Sequence, residues 1–329
     1  MANKTETKIT IAKVLSDGEF HSGEALGKKL GISRAAVANH VKTLSSLGLD
    51  IYSVTGRGYK LANHIELLDT KKINTVFNKK YSLDTYSIID STNEFLMQKI
   101  RSDSKLVDGH TVVAECQTAG RGRRGRKWQS PFGSHVYFSQ YRIMEDGLSA
   151  AAGLSLAVGI AVKRACEKVV GGKIELKWPN DILSEGRKLA GVLIEAEGQS
   201  DGQCHLVIGI GINFDMPKSS ADEIEQAWVD LKTLAGKSLD RNYFVALLIE
   251  ELDTIVQKYK ESRLDNLLEE WNLANSFKEQ NVEISSNTSV RAGKCIGIDA
   301  TGALLIESNE TGKIEKIFGG EVSLRKARK

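Results

Sequence analysis

The sequence predicts an α+β protein made of three segments. Before residue 65, two short helical patterns are followed by the pattern of a β-hairpin, which together indicate a winged helix-turn-helix. Between residues 70 and 272, strand-like and helix-like runs mix, as expected of an α/β layer. From about residue 275, short strands with turn signals indicate a small β-barrel. We therefore expect domains at 1–65, 70–272 and 275–329.

Composition and charge narrow the class of protein. A net charge of +3 is too small to indicate a nucleic-acid binder, but residues 1–65 hold nine Lys and Arg against five Asp and Glu. The four cysteines are far apart and form no C-x-x-C pair, which argues against a disulfide framework or zinc site and fits the cytoplasm. The first ten residues lack a signal-peptide core. Residues 148–162 are uncharged but short, which favours a buried helix over a membrane span.

The N-terminal segment predicts DNA binding. Apolar residues lie at helical spacing on both sides of Gly31, and Ser33 is a natural cap for the second helix. Lys and Arg would contact phosphates, while Asn39 could contact base edges. The alternative is a small helical subdomain with solvated lysines. The predicted DNA-binding residues, on the second helix and the following basic hairpin, are Ser33, Arg34, Ala35, Asn39, Lys42, Arg57 and Lys60.

The stretch "TAGRGRRGRKWQSPFG", residues 118–133, contains a G-x-G-x-x-G pattern. A Rossmann turn needs a helix to open there and an acidic residue about 20 positions later, but "RKWQSPFG" breaks a helix and Glu145 is a loose match. A nucleic-acid patch would be unusual in the middle of the α/β segment. We favour a glycine-jointed loop that closes its arginines over a phosphate-bearing ligand. Trp128 would stack on a planar base or anchor the loop in the core.

Two further stretches favour the same chemistry. In residues 177–195, a Trp-Pro-Asn-Asp turn precedes Lys188, which starts an apolar strand and should project into a cleft. An ordinary hairpin lysine is the alternative. In residues 207–214, Gly209, Gly211 and Asn213 alternate, so one strand face has little side-chain cover and something flat should approach it. A β-bulge is the alternative.

Five stretches, in this order, resemble the bifunctional biotin–protein ligases (group II) that also repress the biotin operon: "STNEFL", "QTAGRGRRGRKWQSPFG", "KWPNDI", "RKLAGVLIE" and "GIGIN". The leading winged helix and the "GGEVSLR" β-domain match too, so the resemblance covers nearly the whole chain. It implies a biotin/lipoate ligase fold and an SH3-like C-terminal barrel. It also implies ATP, Mg²⁺ and biotin as ligands, with biotinyl-5′-AMP as the intermediate.

The resemblance implies three macromolecular partners and leaves two alternatives. The partners are the biotin carboxyl carrier protein of acetyl-CoA carboxylase, operator DNA, and a second copy of the chain when adenylate is bound. The carrier would compete with the second copy for one sheet edge. The alternatives are a metabolite-sensing regulator without ligase activity and an adenylating ligase for lipoate or octanoate.

The resemblance also assigns site residues. Those implied as catalytic are Arg121, Arg123 and Lys188. Those implied to bind biotin are Ser91, Thr92, Asn93, Gln117, Gly120, Arg121, Gly122, Arg123, Lys188, Gly209 and Gly211. Those implied to bind ATP or the adenylate are Arg123, Arg124, Arg126, Trp128, Asn180, Asp181 and Asn213, with Asp181 as the magnesium candidate; for Asn180 and Asp181 the alternative is a turn-stabilising pair.

Two local features qualify these assignments. Ser91 and Glu94 form the pattern S-x-x-E of a helix capping box. Gln140 and Tyr141 stand where relatives tend to be more apolar, which should affect packing or interface details rather than chemistry.

Overall fold

The computed structural model describes residues 4–62, 64–198, 202–217, 224, 226–285, 290–319 and 323–326. Its helices are α1 (Lys4–Leu15), α2 (Gly23–Leu30), α3 (Arg34–Ser46), α4 (Thr70–Val76), α5 (Thr92–Arg101), α6 (Leu154–Glu167), α7 (Leu231–Ala235), α8 (Arg241–Ser262) and α9 (Leu268–Ala274). Its strands are β1 (Ile51–Val54), β2 (Gly58–Leu61), β3 (Leu83–Tyr86), β4 (Thr111–Ala114), β5 (His135–Met144), β6 (Glu175–Lys177), β7 (Asp181–Ser184), β8 (Arg187–Gly198), β9 (Cys204–Asn213), β10 (Asn281–Ser285), β11 (Val290–Ile298), β12 (Leu304–Ser308), β13 (Ile314–Ile317) and β14 (Ser323–Lys326).

The N-terminal segment is a winged helix-turn-helix, as predicted. Helix α2 ends at Gly31, whose φ of 66° needs the left-handed region, and the Ser33 hydroxyl accepts a hydrogen bond from the Ala36 amide at 3.1 Å to start α3. Val37 and Leu44 of α3 are fully buried. Strands β1 and β2 pair antiparallel and form the wing. The turn and the cap therefore formed where the local sequence placed them.

The central segment is a seven-stranded mixed sheet in the order β3-β4-β5-β9-β8-β7-β6. Strands β3 and β4 are parallel, and the other neighbours are antiparallel. Alternate residues separate the two faces: Val113 packs into the core containing α6 and α8, whereas Val112 packs with Leu96 of α5. The sheet therefore has helices on both faces, and the glycines of β9 lie on the α5 face.

The C-terminal segment is a five-stranded antiparallel sheet in the order β13-β12-β11-β10-β14. Its apolar residues share one core with the central segment, and the Trp178 indole donates to the Gly302 carbonyl at 3.1 Å. Residues 286–289, 320–322 and 327–329 of the predicted domain, including part of "GGEVSLR", lie outside the described residues. The shared core places β14 beside the central sheet.

The remaining fold expectations concern burial. The uncharged run at 148–162 forms a 3₁₀ turn and then the buried helix α6, and no described helix is long and apolar enough to cross a membrane. The four cysteines are buried and unpaired. Gln140 is fully buried and donates to Thr111 Oγ1 at 3.1 Å, while Tyr141 Oη lies 2.7 Å from His205 Nδ1. The polar pair on β5 therefore serves internal packing, as expected.

Candidate active site

One cleft of about 950 Å³ opens on the α5 face of the central sheet. It is bounded by the N-terminus of α5, by the loop at 118–133, and by strands β8 and β9. All the predicted ligand-binding residues line it except Gly120. Gly120 lies behind the loop, where its carbonyl accepts from the Trp128 amide at 2.9 Å and a Cβ would meet Ser130 Oγ at 2.6 Å. The motifs, far apart in sequence, thus converge on a single site.

The N-terminus of α5 forms one end of the cleft. Ser91 Oγ accepts from the Glu94 amide at 3.4 Å, as the capping pattern predicts. The reciprocal bond of a capping box is absent here: Asp90 Oδ1 accepts from the Ser91 amide at 2.7 Å. The Glu94 carboxylate instead reaches Arg121. The capping-box expectation is therefore half wrong, because a stronger ionic partner takes the glutamate.

Gln117 is held in one orientation beside that helix. Its Oε1 accepts from the Thr92 amide at 2.9 Å and from Thr92 Oγ1 at 3.1 Å, and its Nε2 donates to Ser130 Oγ at 3.1 Å. Since both ends of the amide are used, its position is set before any ligand arrives. This end of the cleft presents fixed hydroxyl and amide groups suited to a neutral polar molecule.

The side chain of Asn93 explains why residue 209 of β9 is a glycine. Its Nδ2 donates to Glu195 Oε2 at 2.8 Å, and Ser139 Oγ lies 2.6 Å from its Oδ1. A Cβ on Gly209 would stand 2.2 Å from that Oδ1. Strand β9 keeps an unbroken register with β5 and β8, so the bulge alternative is wrong. A flat group does approach the strand, and it is the amide of Asn93.

The side chain of Trp128 explains why residue 211 of β9 is a glycine. A Cβ on Gly211 would stand 2.5 Å from Cε2 of the indole ring, so the ring lies directly on the strand backbone. Lys188 Nζ lies 5.4 Å from the ring centroid, within cation–π range. The buried indole N–H finds no acceptor among the described residues. Trp128 therefore forms part of the cleft floor, with its indole N–H buried against β9.

The loop at 118–133 is folded onto itself. Gly125 has φ of 69°, and the Gly122 amide donates to the Arg126 carbonyl at 2.7 Å. Arg124 also adopts a left-handed φ, of 59°. The glycine-jointed loop predicted from the sequence is thus present. Arg124 and Arg126 lie close enough to Arg123 to lower its pKa, so these three stand together, whereas Arg121 has other partners.

Arg121 points away from the other loop arginines. Its guanidinium lies 2.9 Å from Glu94 Oε2 and 3.1 Å from Glu195 Oε2. We call Arg121, Glu94 and Glu195 the clasp, because the three tie the loop to α5 and to β8. Both carboxylates are about three-quarters buried, with 26 % of each side chain exposed. The positive charge of Arg121 is therefore largely compensated.

Arg123 and Lys188 form the cationic centre of the cleft. The Arg123 guanidinium donates to Asn180 Oδ1 at 2.9 Å, and burial lowers the pKa of Arg123 although Asp181 opposes this. Lys188 Nζ lies 2.7 Å from Asp181 Oδ1. The predicted pair Asn180–Asp181 therefore orients the two cations. Asn213 Nδ2 donates to the Lys188 carbonyl at 3.1 Å and fixes the start of β8.

Sequence reasoning missed several lining residues, of which four bear on charge and shape. Lys177 and Arg325 add positive charge, while Met216 and Trp228 add apolar wall. Lys177 stands within the quoted "KWPND" stretch, where a cation beside a rigid turn was an available signal. Trp228 and Arg325 carried no local signal, because backbone pairing of Trp228 with Lys188 and the docking of β14 bring them to the cleft.

Charge divides the cleft into two ends. At the α5 end Arg121 lines the cleft, and its charge is paired with the carboxylates of Glu94 and Glu195 behind it. At the other end, one carboxylate, Asp181, faces Arg123, Arg126, Lys177, Lys188 and Arg325. An elongated ligand with a neutral head and an anionic tail would bind in one direction.

The described residues hold no group of three or more His, Cys, Asp or Glu side chains placed to bind a metal ion. Among the described residues, Asp181 is the one carboxylate that lines the cationic end, and it is paired with Lys188. A single carboxylate fits an ion that arrives already bound to phosphates, since Mg²⁺ commonly uses one or two protein carboxylates plus substrate oxygens.

The predicted DNA-binding residues are exposed, except Lys60, which is partly buried. Ser33, Arg34, Ala35, Asn39 and Lys42 of the α3 region are exposed. On the wing, Arg57 is exposed and its guanidinium carbon lies 4.0 Å from the centroid of the Phe20 ring, with Lys60 Nζ at 5.6 Å. Phe20, which the sequence analysis did not single out, therefore supports both cations of the wing.

Comparison with known proteins tests this reading across the whole chain. The model of the biotin/lipoate A/B protein ligase family matches residues 85–213, an HTH domain model matches 7–60, and the biotin protein ligase C terminal domain matches 279–325. The bifunctional ligase/repressor BirA of Salmonella typhimurium is 42 % identical over 98 % of this chain and 99 % of the relative. The chain belongs to the bifunctional biotin ligase/repressor family.

Other members agree with this assignment. The bifunctional ligase/repressor BirA of Escherichia coli is 40 % identical over 98 % of both chains. The biotin protein ligase of Aquifex aeolicus, solved in complex with biotin and ATP, is 29 % identical with a TM-score of 0.62, covering 74 % of this chain and 99 % of that one. The chain is therefore a biotin ligase with an N-terminal HTH domain, and the predicted fold class is confirmed.

Proposed function

We propose that the cleft joins biotin to AMP and passes biotin to a lysine of a biotin carboxyl carrier protein. The observation that carries this proposal is the division of the cleft into a neutral polar end and a cationic end. Biotin has a neutral ureido head and an anionic carboxylate, and ATP supplies the phosphates. The Aquifex aeolicus relative solved with biotin and ATP supports this pair of substrates.

The neutral end would bind the biotin head. Ser91, Thr92, Asn93 and Gln117 offer hydroxyl and amide groups that are already hydrogen-bonded in place. Preorganised donors and acceptors cost little to order when the ligand binds. The carboxylate then extends toward Lys188.

The cationic end would carry the first reaction. A carboxylate oxygen of biotin attacks the α-phosphorus of ATP, and the bond from that phosphorus to the bridging oxygen of pyrophosphate breaks. Arg123 and Lys188 neutralise the charge that gathers on the α-phosphate oxygens. Trp128 and Asn213 would border the adenylate, and Mg²⁺ would enter as MgATP with Asp181 as its nearest carboxylate.

The second reaction uses the same cations. The ε-amine of the carrier lysine attacks the carbonyl carbon of the mixed anhydride, and AMP leaves as biotin becomes amide-linked. Arg123 and Lys188 then stabilise the phosphate of the departing AMP. The carrier would be that of acetyl-CoA carboxylase, and the buried unpaired cysteines fit a protein of the reducing cytoplasm.

The N-terminal domain, which we place at residues 1–65, would bind operator DNA of the biotin biosynthesis operon as an adenylate-bound homodimer. The exposed face of α3 and the basic wing support this proposal. A second copy and the carrier would compete for one sheet edge. We place the catalytic domain at 70–272 and the C-terminal domain at 275–329.

Mass spectrometry of the protein after incubation with MgATP and biotin, lipoate or octanoate tests the ligase proposal. We expect biotinyl-AMP alone; retained biotin without AMP would indicate a sensor, and an adenylate of another acid would change the substrate. Arg123→Ala or Lys188→Ala should lower adenylate formation by about 10²–10³-fold, while Lys105→Ala, an exposed lysine outside the cleft, should leave it unchanged.

A further inference from the structure

Lys177 is a half-buried cation at the end of β6, where it lines the cationic end of the cleft. No described carboxylate lies within ion-pair distance of its ammonium group, and its nearest aromatic contact is the Phe277 ring, with the centroid 5.8 Å away. Lys188, by contrast, is paired with Asp181. A cation placed this way destabilises the fold unless an anion joins it.

The surroundings of Lys177 increase that cost. Burial lowers the pKa of Lys177, and the nearby charges of Lys188, Arg325 and Arg126 lower it further, against one opposing carboxylate, Asp181. Several cations held close together with so few counter-charges favour a ligand with more than one negative charge. The α-phosphate of an adenylate has a single negative charge, and Arg123 and Lys188 already face it in the proposed reaction.

We propose that Lys177, flanked by Arg126 and Arg325, binds the β- and γ-phosphates of ATP and holds the departing pyrophosphate. The inference rests on the proposed ligase reaction. When the bond between the α-phosphorus and the bridging oxygen breaks, the electron pair passes to that oxygen, and negative charge grows on the β-phosphate. A cation preorganised at this position lowers the free energy of the transition state.

This role separates Lys177 from the other cations of the cleft. Biotinyl-AMP has no β- or γ-phosphate, so binding of the adenylate and transfer of biotin to the carrier should not depend on Lys177. Arg123 and Lys188 face the α-phosphate, which is present in both reactions. Removing the charge of Lys177 should therefore affect adenylation alone, whereas removing that of Arg123 or Lys188 should affect both adenylation and transfer.

The test compares Lys177→Met with Lys173→Met in the full-length protein. Lys173 precedes the same strand, has 77 % of its side chain exposed and pairs with Glu175 at 2.7 Å, so it is a matched control outside the cleft. In Lys177→Met we expect the KM for ATP and the inhibition constant of inorganic pyrophosphate to rise about 10- to 100-fold. The Kd of biotinyl-AMP and the single-turnover transfer to the carrier should match wild type.

Four outcomes are informative. Unchanged ATP and pyrophosphate constants in both Lys177→Met and Lys177→Gln would overturn the inference. Equal weakening of biotinyl-AMP binding would also overturn it, because Lys177 would then act on the α-phosphate or on the fold. Lys177→Arg should recover part of the pyrophosphate binding. If wild type forms no adenylate, the ligase proposal itself fails, which is a separate result.

Discussion

Gly211→Ala should disable adenylation through the Trp128 ring. A Cβ at residue 211 would stand 2.5, 2.7 and 2.8 Å from three atoms of the indole, whereas ordinary contacts begin near 3.4 Å. The ring must therefore retreat by about 1 Å, and a displacement of this size in a reacting site costs about 10²-fold in rate. Because Lys188 lies over the same ring, the displacement also moves the cation that faces the α-phosphate.

Gly191→Ala is the matched control. Gly191 pairs directly with Gly211 across β8 and β9, and neither has a positive φ. A Cβ there would approach Trp128 Cζ3 and Lys188 Nζ at 3.4 Å, which is ordinary contact. We expect its rate of adenylate formation to stay within about threefold of wild type.

The assay is the rate of biotinyl-AMP formation at saturating MgATP, with thermal unfolding followed by circular dichroism for each variant. If the effect is specific to the ring, Gly211→Ala forms biotinyl-AMP more slowly than Gly191→Ala, while the thermal unfolding midpoints of the two variants stay close. Equal rates in the two variants would refute the reasoning, since the ring would then not be the sensitive element.

Three further predictions address other parts of the molecule. Glu195→Gln weakens the clasp on Arg121, so the KM for biotin should rise about tenfold while kcat changes little, measured by steady-state kinetics; an unchanged KM would exclude a role of the clasp in closing the loop. Burial lowers the pKa of His135 to about 4 from 6.5. As the pH falls from 6.5 toward 4, the unfolded chain binds a proton that the folded state does not, so stability is lost across that window and His135 adds no pH dependence above it. Between pH 7 and pH 5, the free energy of unfolding measured with urea should fall by about 2 kcal/mol more in wild type than in His135→Asn. An equal fall in the two proteins would contradict a buried neutral imidazole at residue 135. Phe20→Leu removes the ring beneath Arg57 and should weaken operator binding about threefold to tenfold in fluorescence anisotropy, with ligation unchanged; unaltered affinity would show that the ring does not position the wing.

Local chemistry made much of the fold and site predictable. The turn at Gly31 and the cap at Ser33 depend on a few adjacent residues, and each formed where expected. The bare strand face at Gly209 and Gly211 correctly predicted a flat neighbour. The sequence could not predict which groups these neighbours are, because Asn93 and Trp128 belong to segments far away in the chain.

The errors and omissions have a common physical cause. The capping-box pattern at Ser91 assumed that Glu94 would bond locally, but Arg121, 27 residues away, offers an ionic partner. Lys177 and Arg325 reach the cleft only through the pairing of β6 and the docking of β14. Contacts between residues distant in sequence depend on the topology of the fold, and a single sequence indicates that topology only where it contains a recognisable motif.

The cations of the cleft differ in how they are compensated, and this difference suits the order of the reaction. Arg121 and Lys188 each have a carboxylate partner at hydrogen-bond distance. Such partners fix geometry and reduce the cost of burying a charge. Lys177 lacks one among the described residues and stands where the leaving group would depart. A cation with no partner gains most when a polyanion arrives, so nucleotide binding should be strongest while the β- and γ-phosphates are attached. Once pyrophosphate leaves, the repulsion between Lys177 and the neighbouring cations returns. The adenylate stays bound to the cations that have carboxylate partners, because these cations need no polyanion to hold them in place.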